Sequence, residues 1–373
     1  MAPYRRGPPA RRRHRGDRRR AHTPAASGAR PVQVIVTACV APFVGGGARY
    51  HVAGLVQHLR GAGCRVEPLL LPFQFHPQSQ IDGIMDFAAQ LDLGRPNGQP
   101  VERVISLQFP GYAARHPHHV VWLMHQHRAA YELFDADGAD DAGRAFRERV
   151  HAFDRAALGR VRARFANSPR VAQRLQQFLG LDAQPLYHPP PLAECYRCEE
   201  AQPYLFYPSR LESLKRQDLL IEAMARVRSP LHLLLAGRGG QERRYRELAA
   251  RLGVGDRVRF LGEISETEKV AFYARSLAVC FPTFDEDYGY ITLEAMLAAK
   301  PVITCSDAGG PLAFVADGDT GRVVAPSAAA LADAIDDLAA RPAHAAALGR
   351  AGRARYHALG ISWTSTIERL LAA

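Results

Sequence analysis

The stretch that decides the fold is Phe284-Asp285-Glu286-Asp287-Tyr288-Gly289-Tyr290-Ile291-Thr292-Leu293-Glu294-Ala295-Met296. The apolar run at 277–282 before it predicts a short buried strand, and the apolar face at 291–299 predicts a helix. Glu286 is therefore expected on the loop that leaves the strand, with Glu294 about one turn inside the helix. The N–H groups at the helix start would bind a phosphate, while carboxylates accept hydrogen bonds from hydroxyls. Two carboxylates that flank an anion site predict a ligand with sugars at both ends of a diphosphate, which is a nucleotide sugar.

Strand and helix patterns alternate on both sides of this stretch and form two series. The first predicts strands at 32–37, 66–71, 101–107 and 120–124, a glycine loop at 44–47, and helices at 48–59, 143–160 and 169–179. The second predicts strands at 204–207, 231–236, 258–261, 278–281 and 302–305, and helices at 217–227 and 363–371. Apolar, β-branched strands that alternate with amphipathic helices are typical of doubly wound parallel sheets.

The boundary between the two series is Pro189-Pro190-Pro191. The sequence thus predicts an α/β fold with two Rossmann-like domains, at 31–190 and 200–360, which face a central cleft. A final amphipathic segment follows at 361–373.

Two cations follow the first strand of the second series, in Ser209-Arg210-Leu211-Glu212-Ser213-Leu214-Lys215. Arg210 offers a planar fork to phosphate oxygens, and Lys215 offers a compact charge. The chain has three lysines against 45 arginines, so Lys215 is not what the background composition supplies.

Taken together, these segments resemble the retaining glycosyltransferases of the family-4 type, which have the GT-B fold and an E-x7-E motif. The resemblance runs from about Val32 to the C-terminus. It implies that Arg210 and Lys215 bind the donor diphosphate, that Glu286 holds hydroxyls of the transferred sugar, and that Glu294 holds the ribose. It also implies that the helix at 361–373 packs back onto the first domain. Further donor contacts are implied at Gly289, Tyr290 and Ile291, at the start of the helix.

Other site residues are also assigned by this resemblance. Gly46 and Gly47 would approach the donor phosphate and the acceptor, although the loop does not complete G-x-G-x-x-G. His125 would contact the transferred sugar, and His127 is the alternative. The loops that contain Gly237 and Ile264 would border the nucleotide base.

Metal binding has two sequence signals, and neither is the preferred interpretation. Asp285-Glu286-Asp287 has D-x-D spacing, but Arg210 and Lys215 already supply the neutralisation that a metal would give. Cys195-Tyr196-Arg197-Cys198 lacks a second pair of ligands, which favours a plain loop. We therefore expect transfer without a metal or a cofactor.

Two positions depart from the family pattern. Asp287 stands where many relatives have glycine, and it would bring an extra negative charge near the diphosphate. Ala313 stands where many relatives have glutamate, so a hydrogen-bond partner is lost.

The formal net charge of +11 is concentrated in residues 1–30, which hold ten arginines and one acid and so carry +9. The remaining +2 is spread over the rest of the chain (11 − 9). We expect this Arg-rich tail to be disordered. Three interpretations remain open: attachment to an anionic membrane surface, nonspecific binding of nucleic acid, or upstream sequence included by a misplaced start. No apolar run is long enough to span a bilayer, no signal peptide is visible, and six cysteines form no disulfide framework, which favours the cytoplasm.

The sequence therefore predicts a retaining hexosyltransferase that moves a sugar from a nucleoside-diphosphate sugar to an acceptor. The acceptor class remains open between saccharides, lipid-linked molecules and small molecules, as in cell-envelope polysaccharide synthesis or secondary metabolism. A peripheral position at the inner face of the plasma membrane is expected if the tail binds lipid; no specific nucleic acid partner is expected. The alternatives are another GT-B enzyme, such as a sugar-nucleotide epimerase, and a non-catalytic protein that binds nucleotide sugars.

Overall fold

Two parallel six-stranded β-sheets organise residues 30–43 and 45–373, which the computed structural model describes. Val32 to Ala373 form one compact unit. Apart from Arg30, the tail predicted at 1–30 lies outside the described residues. Below, residues 32–190 are called the N-terminal half and residues 200–360 the C-terminal half.

The N-terminal half contains the first sheet, and all its neighbouring strands pair in parallel. Its strand order is β2-β1-β3-β4-β5-β6. Successive strands are added on one side from β1 to β2 and on the other side from β3 onwards, so the strand order reverses between β1 and β3. The strands are β1 (Gln33–Val40), β2 (Arg65–Pro72), β3 (Arg103–Ser106), β4 (His119–Leu123), β5 (Ala163–Ala166) and β6 (Gln184–Pro185). The helices are α1 (Gly47–Gly61), α2 (Gln78–Gln90), α3 (Asp141–Gly159) and α4 (Pro169–Leu179).

The C-terminal half contains the second sheet, with the order β12-β11-β10-β7-β8-β9 and a reversal between β7 and β10. The strands are β7 (Tyr204–Pro208), β8 (His232–Ala236), β9 (Val258–Gly262), β10 (Ala278–Phe281), β11 (Val302–Cys305) and β12 (Gly321–Val324). Its helices are α5 (Gln217–Met224), α6 (Glu242–Arg251), α7 (Glu266–Arg275), α8 (Tyr290–Leu297), α9 (Ala328–Ala340) and α10 (Pro342–Ala358), and a last helix, α11 (Trp363–Ala372), follows this half.

Each sheet is buried by helices, because strands rich in Val, Ile, Leu and Phe are apolar on both faces. β10 is an example, since Ala278, Val279, Cys280 and Phe281 are all at most 1% exposed. The two reversals matter for function, because ligands of doubly wound sheets bind beyond the carboxyl ends of the strands at such a point. The predicted α/β class with two Rossmann-like domains is confirmed, and the arrangement is that of the GT-B fold.

The last helix, α11, returns to the N-terminal half. Ile367 and Leu370 lie in the same buried cluster as Leu55 and Leu59 of α1. The Trp363 ring stacks on His58, with the ring centroids 4.7 Å apart. A Cβ at Gly54 would lie 2.4 Å from Trp363, so only glycine lets the two helices pack this closely.

Candidate active site

The loops with the predicted ligand-binding residues leave adjacent strands of the second sheet. Residues 209–215 follow β7 and residues 282–289 follow β10, so these two loops lie on either side of the strand-order reversal. The loops after β8 and β9 continue along the same edge of the sheet. Parallel strands place all four loops at one edge, which explains why Lys215 and Glu286, 71 positions apart, meet there.

Backbone pairing fixes the direction of Glu286. The Asp285 N–H donates to Asp307 O (2.9 Å), the Glu286 N–H donates to Ala308 O (2.8 Å), and the Gly310 N–H donates to Glu286 O (2.7 Å). The segment bends around Glu286, and Asp285 has a left-handed φ of +45°. The Glu286 side chain points towards Lys215, whereas the Asp285 and Asp287 side chains point towards arginines of α4.

The Glu286 carboxylate contacts the Lys215 ammonium, so the structure brings these two predicted residues together. The Thr283 hydroxyl donates to the same carboxylate oxygen, at 3.2 Å. The Tyr207 hydroxyl donates to the backbone carbonyl of Lys215 at 2.6 Å and anchors the loop that carries the lysine. The Lys215 and Glu286 side chains are 17% and 20% exposed, so both are reachable from the cleft.

The glycine loop of the N-terminal half faces Arg210 and Tyr290 of the C-terminal half. A Cβ at Gly46 would lie 3.8 Å from Arg210 Nε, and a Cβ at Gly47 would lie 2.9 Å from Tyr290 Cε2. Arg210 is exposed and makes no ion pair within residues 30–43 and 45–373. The two halves thus approach at a distance that requires a glycine at position 47.

Helix α8 begins directly beside this contact. Gly289 precedes it with φ +81°, and a Cβ there would lie 2.9 Å from the Phe281 ring and 3.0 Å from Pro311. The first N–H groups of a helix have no acceptor within the helix, and here those belong to Tyr290 and Ile291. The Tyr290 hydroxyl lies 2.5 Å from Nε2 of the buried His188, which ties α8 to the segment before the triple proline.

Glu294 is buried, with 4% of its surface exposed, and both carboxylate oxygens are bonded. Tyr273 donates its hydroxyl at 2.6 Å, and Lys269 donates from Nζ at 3.2 Å. Burial lowers the pKa of Lys269, but the charges of Glu294 and Glu266 outweigh it and raise that pKa. The role of Glu294 at the ribose stays a prediction, and a ligand hydroxyl there would join or displace these partners.

Glu266 extends this network to the N-terminal half. Its carboxylate lies 2.7 Å from Lys269 Nζ and accepts a hydrogen bond from the Tyr50 hydroxyl of α1 at 3.0 Å. Lys269 and Tyr50 are not among the site residues predicted from the sequence. Lysine is scarce in this chain, which is why Lys215 stands out in the sequence. Lys269 stands out for the same reason and could have been predicted from it.

The two candidate histidines differ in their surroundings. His127 packs against the rings of Phe73, Phe109 and Phe146, and burial lowers its pKa to about 4. The half-buried His125 ring contacts the Gln126 carbonyl through Nδ1 at 2.8 Å. The role of His125 at the transferred sugar stays a prediction.

Asp285 and Asp287 do not form a metal site with Glu286. Their carboxylates turn away from it and pair with Arg170 and Arg174 of α4. The described residues contain no group of three His, Cys, Asp or Glu side chains that could hold a metal ion. The effect of the extra negative charge of Asp287 on the diphosphate stays a prediction, and Arg128 and Arg174 lie close enough to offset that charge.

The remaining predicted residues lie along the same sheet edge or outside the site. Gly237, after β8, donates its N–H to Gly262 O at 2.7 Å, and a Cβ there would lie 2.3 Å from Ser209 O. Ile264, after β9, is half-buried against the core. The carbonyl of Ala313 accepts a bond from Arg355 at 3.3 Å. All six cysteines lie in the described residues and are free thiols, including the exposed pair at 195 and 198.

Known proteins match parts of this chain. Residues 196–355 match the family model described as glycosyl transferases group 1. The chain is 34% identical over 182 residues to the D-inositol 3-phosphate glycosyltransferase of Kribbella flavida, which covers 45% of this chain and 42% of that protein. It is 31% identical over 231 residues to the Nocardia farcinica protein of the same name, which covers 55% and 51%. The matches thus span about half the length of these relatives.

Solved structures match nearly the whole chain. Sucrose-phosphate synthase from Thermosynechococcus elongatus superposes with a TM-score of 0.74 at 20% identity, over 91% of this chain and 97% of that one. Anabaena HepE in complex with UDP and glucose gives 0.70 at 16% identity, over 91% and 98%. At these sequence identities, the likeness shows that the fold is shared and nothing further. Among the described residues, no helix is long and apolar enough to cross a membrane. The C-terminal half thus matches the group 1 glycosyl transferases, and the two halves together have the GT-B fold.

Proposed function

We propose that this protein transfers a sugar from a nucleoside-diphosphate sugar to an acceptor, with retention of the anomeric configuration. One observation carries the proposal: Lys215, Glu286, exposed Arg210 and the start of α8 gather at the strand-order reversal of the second sheet. The family match over residues 196–355 covers all four features. A diphosphate needs cations and N–H groups, and a sugar needs a carboxylate that accepts from its hydroxyls.

The roles follow from charge and position. Arg210 and Lys215 would offset the charge that develops on the leaving diphosphate, which is the main electrostatic task of the reaction and requires no metal in this proposal. The N–H groups of Tyr290 and Ile291 would bind phosphate oxygens. Glu286 would hold hydroxyls of the transferred sugar, and Glu294 the ribose at the other end of the donor.

Retention is proposed without a covalent intermediate on the protein. A double displacement needs two carboxyl groups about 5 Å apart on the two sides of the reacting carbon. The acids next to Glu286 in sequence are turned away and paired with arginines. We therefore propose attack from the face of the leaving group, with the departing phosphate as the base.

The proposed acceptor side is the N-terminal half, which carries His125 and the glycine loop; at Gly46 and Gly47 this loop faces Arg210 and Tyr290. Sugars, lipid-linked acceptors and small molecules remain the candidate classes. The relatives are named for D-inositol 3-phosphate, and one matched structure holds UDP and glucose, so a uridine donor and a polyol acceptor are the first pair to test.

The test is turnover of UDP-, GDP- and TDP-hexoses with an acceptor panel, followed by release of the nucleoside diphosphate and by NMR of the product anomer. Glu286→Gln removes one charged acceptor and is expected to lower kcat about 100-fold or more. Glu368→Gln, at an exposed position on α11, is the matched control and is expected to leave turnover unchanged.

Two results would contradict the proposal. Equal turnover by Glu286→Gln and the unsubstituted protein would remove Glu286 from the site. An epimerised nucleotide sugar, formed without any acceptor, would replace transfer by epimerisation.

A further inference from the structure

We infer that Asp285 and Asp287 form a clasp with Arg128, Arg170 and Arg174 that joins the two halves and positions Glu286. The clasp is a property of the fold, and its effect on turnover rests on the proposed function. Its residues are positioning residues, because they act on the Glu286 segment and reach the ligand through it.

The first part of the clasp is the Asp285 carboxylate, whose side chain is 8% exposed. Arg170 of α4 binds it through two nitrogens, Nε at 2.5 Å and Nη2 at 3.1 Å. Arg174, one turn further along α4, lies 3.0 Å from one of the same oxygens. A planar guanidinium that binds a carboxylate through two hydrogen bonds fixes direction as well as distance.

The second part is Asp287, on the far side of Glu286. Its carboxylate binds Nη1 of Arg174 and lies 3.7 Å from Nη1 of Arg128. The Ser168 hydroxyl, at the start of α4, donates to the backbone carbonyl of Asp287 at 2.5 Å.

The backbone carbonyl of Asp285 is held as well. It accepts hydrogen bonds from Arg128 at 2.8 Å and from Arg174 at 2.6 Å. The residues before and after Glu286 are therefore both bound, by side chain and by backbone, to the opposite half of the molecule.

The charges of this cluster balance. Glu132 lies 2.5 Å from Arg128 and 3.2 Å from Arg174, so three acids face three arginines. Arg174 is 1% exposed, and loss of a partner would leave a buried charge uncompensated. Burial alone would raise the pKa of Asp287, but the charges of Arg128 and Arg174 overcome it and lower that pKa. The cluster thus favours the ionised form of the acid.

Glu286 is consequently fixed from two sides. Its own half holds its backbone through Ala308 and Gly310, and the N-terminal half holds its two neighbours through α4. If the halves separate, the second set of contacts is lost and the segment regains freedom to turn. Closure of the cleft would therefore complete the site, as in enzymes whose domain closure assembles the reacting groups.

The clasp gives the D-x-D spacing a use other than metal binding. The bend at Asp285, with its φ of +45°, accompanies an arrangement in which residues 285 and 287 face the N-terminal half and residue 286 does not. One side of the segment joins the halves, and the other side faces Lys215.

The test is hydrogen–deuterium exchange of the full chain, with peptides that cover 284–289 and, as an internal reference, β8 at 232–236. Asp287→Asn keeps the shape and removes the charge. In this variant we expect exchange over 284–289 to rise about tenfold while β8 stays unchanged. In turnover, kcat is expected to fall about tenfold with a smaller change in the donor KM, because the loss lies in the alignment of Glu286.

Arg170→Gln is the second variant and keeps the test valid if Asp287→Asn does not fold, because Arg170 is 29% exposed and at the rim of the cluster. In Arg170→Gln, hydrogen–deuterium exchange over 284–289 is also expected to rise, by a smaller factor than in Asp287→Asn. Arg149→Gln is the control, since it breaks the exposed pair with Asp82 within the N-terminal half and should leave the 284–289 peptide unchanged.

Unchanged exchange over 284–289 in both variants would overturn the clasp, and so would an equal rise in β8, which would indicate general destabilisation. The proposed function fails differently: it fails if the unsubstituted protein turns over no nucleotide sugar, whatever the exchange shows.

Discussion

At the scale of single residues, the direction of Glu286 depends on a neighbouring glycine. Gly309 has φ +77°, and its backbone runs so close to the Glu286 segment that a Cβ would lie 2.7 Å from Glu286 O. The glycine permits the pairing of residues 285–286 with residues 307–310, and this pairing turns Glu286 towards Lys215.

Gly309→Ala should therefore lower both stability and activity. Gly318→Ala is the matched control, because Gly318 has a similar φ of +73° but nothing within 4 Å of its Cβ position. In both variants, an alanine in the left-handed backbone conformation lowers the free energy of unfolding by about 1–2 kcal/mol. Only Gly309→Ala also displaces the Glu286 segment, so it should lose more stability in urea unfolding and also lose turnover. Equal losses in the two variants would refute this role of the close contact.

Residues that are recognisable by their type and position could be predicted from the sequence, whereas residues whose role depends on distant contacts could not. Arg210, Lys215 and Glu286 stand out in the sequence by charge and by position after predicted strands. Arg174 does not, because its partners Asp285 and Asp287 lie 111 and 113 positions away and nothing local marks an α4 arginine as buried. Its role depends on how the two halves close.

At the scale of elements, the sequence predicts those with strong patterns. The helix at 169–179 and the strand at 302–305 have the predicted bounds, because each has a clear start or a β-branched apolar run. The helices α2, α6, α7, α9 and α10 are not among those predicted from the sequence. Helix α6 is mostly charged, and α9 and α10 are rich in alanine, so the contrast between their faces is weak.

The docking of α11 is the element contact that can be tested most simply. Leu370 is fully buried, in the same cluster as Leu55 and Leu59 of α1. Leu370→Ala should cost about 2–5 kcal/mol of unfolding free energy, as buried leucine truncations do. Glu368→Ala, on the exposed face of the same helix, should change it by less than about 0.5 kcal/mol. Similar values for both in denaturant unfolding would show that α11 is not docked as described.

At the scale of the whole molecule, buried histidines set how stability responds to acid. Burial lowers the pKa of His51 and His119 to about 3 and that of His127 to about 4. In the unfolded chain these rings titrate near pH 6.5. The unfolded state therefore takes up protons that the folded state cannot bind, so their contribution is full above pH 6.5 and declines as pH falls towards 4.

Asp154 acts in the opposite direction. Burial raises its pKa to about 7, although Tyr112 and Tyr131 donate hydrogen bonds to it. The folded state then holds a proton that the unfolded state releases above pH 3.8, so its contribution declines as pH rises towards 7. Burial also lowers the pKa of His151 and His188, so one acid opposes five histidines and the net expectation is loss of stability in mild acid.

We predict that the unfolding free energy falls between pH 6.5 and 4.5, and that His127→Phe makes this fall shallower. Each such histidine contributes at most about 1.4 kcal/mol per pH unit. Phenylalanine suits the aromatic surroundings of position 127 and does not titrate. His357→Gln, at an exposed position, is the control and should leave the slope unchanged. The measurement is urea unfolding across this pH range, and an identical slope for His127→Phe would contradict the argument.

The central claim, that the cations of the C-terminal half bind a nucleoside diphosphate at the cleft, is tested most directly by calorimetric titration of UDP, GDP and TDP. We predict that at least one binds the unsubstituted protein, and that Lys215→Met weakens it about tenfold or more, which corresponds to about 1.4 kcal/mol. Arg243→Met removes a cation that is 92% exposed on α6 and should leave the affinity unchanged. Binding that is equally tight in Lys215→Met, or no binding of any of the three diphosphates, would contradict the account.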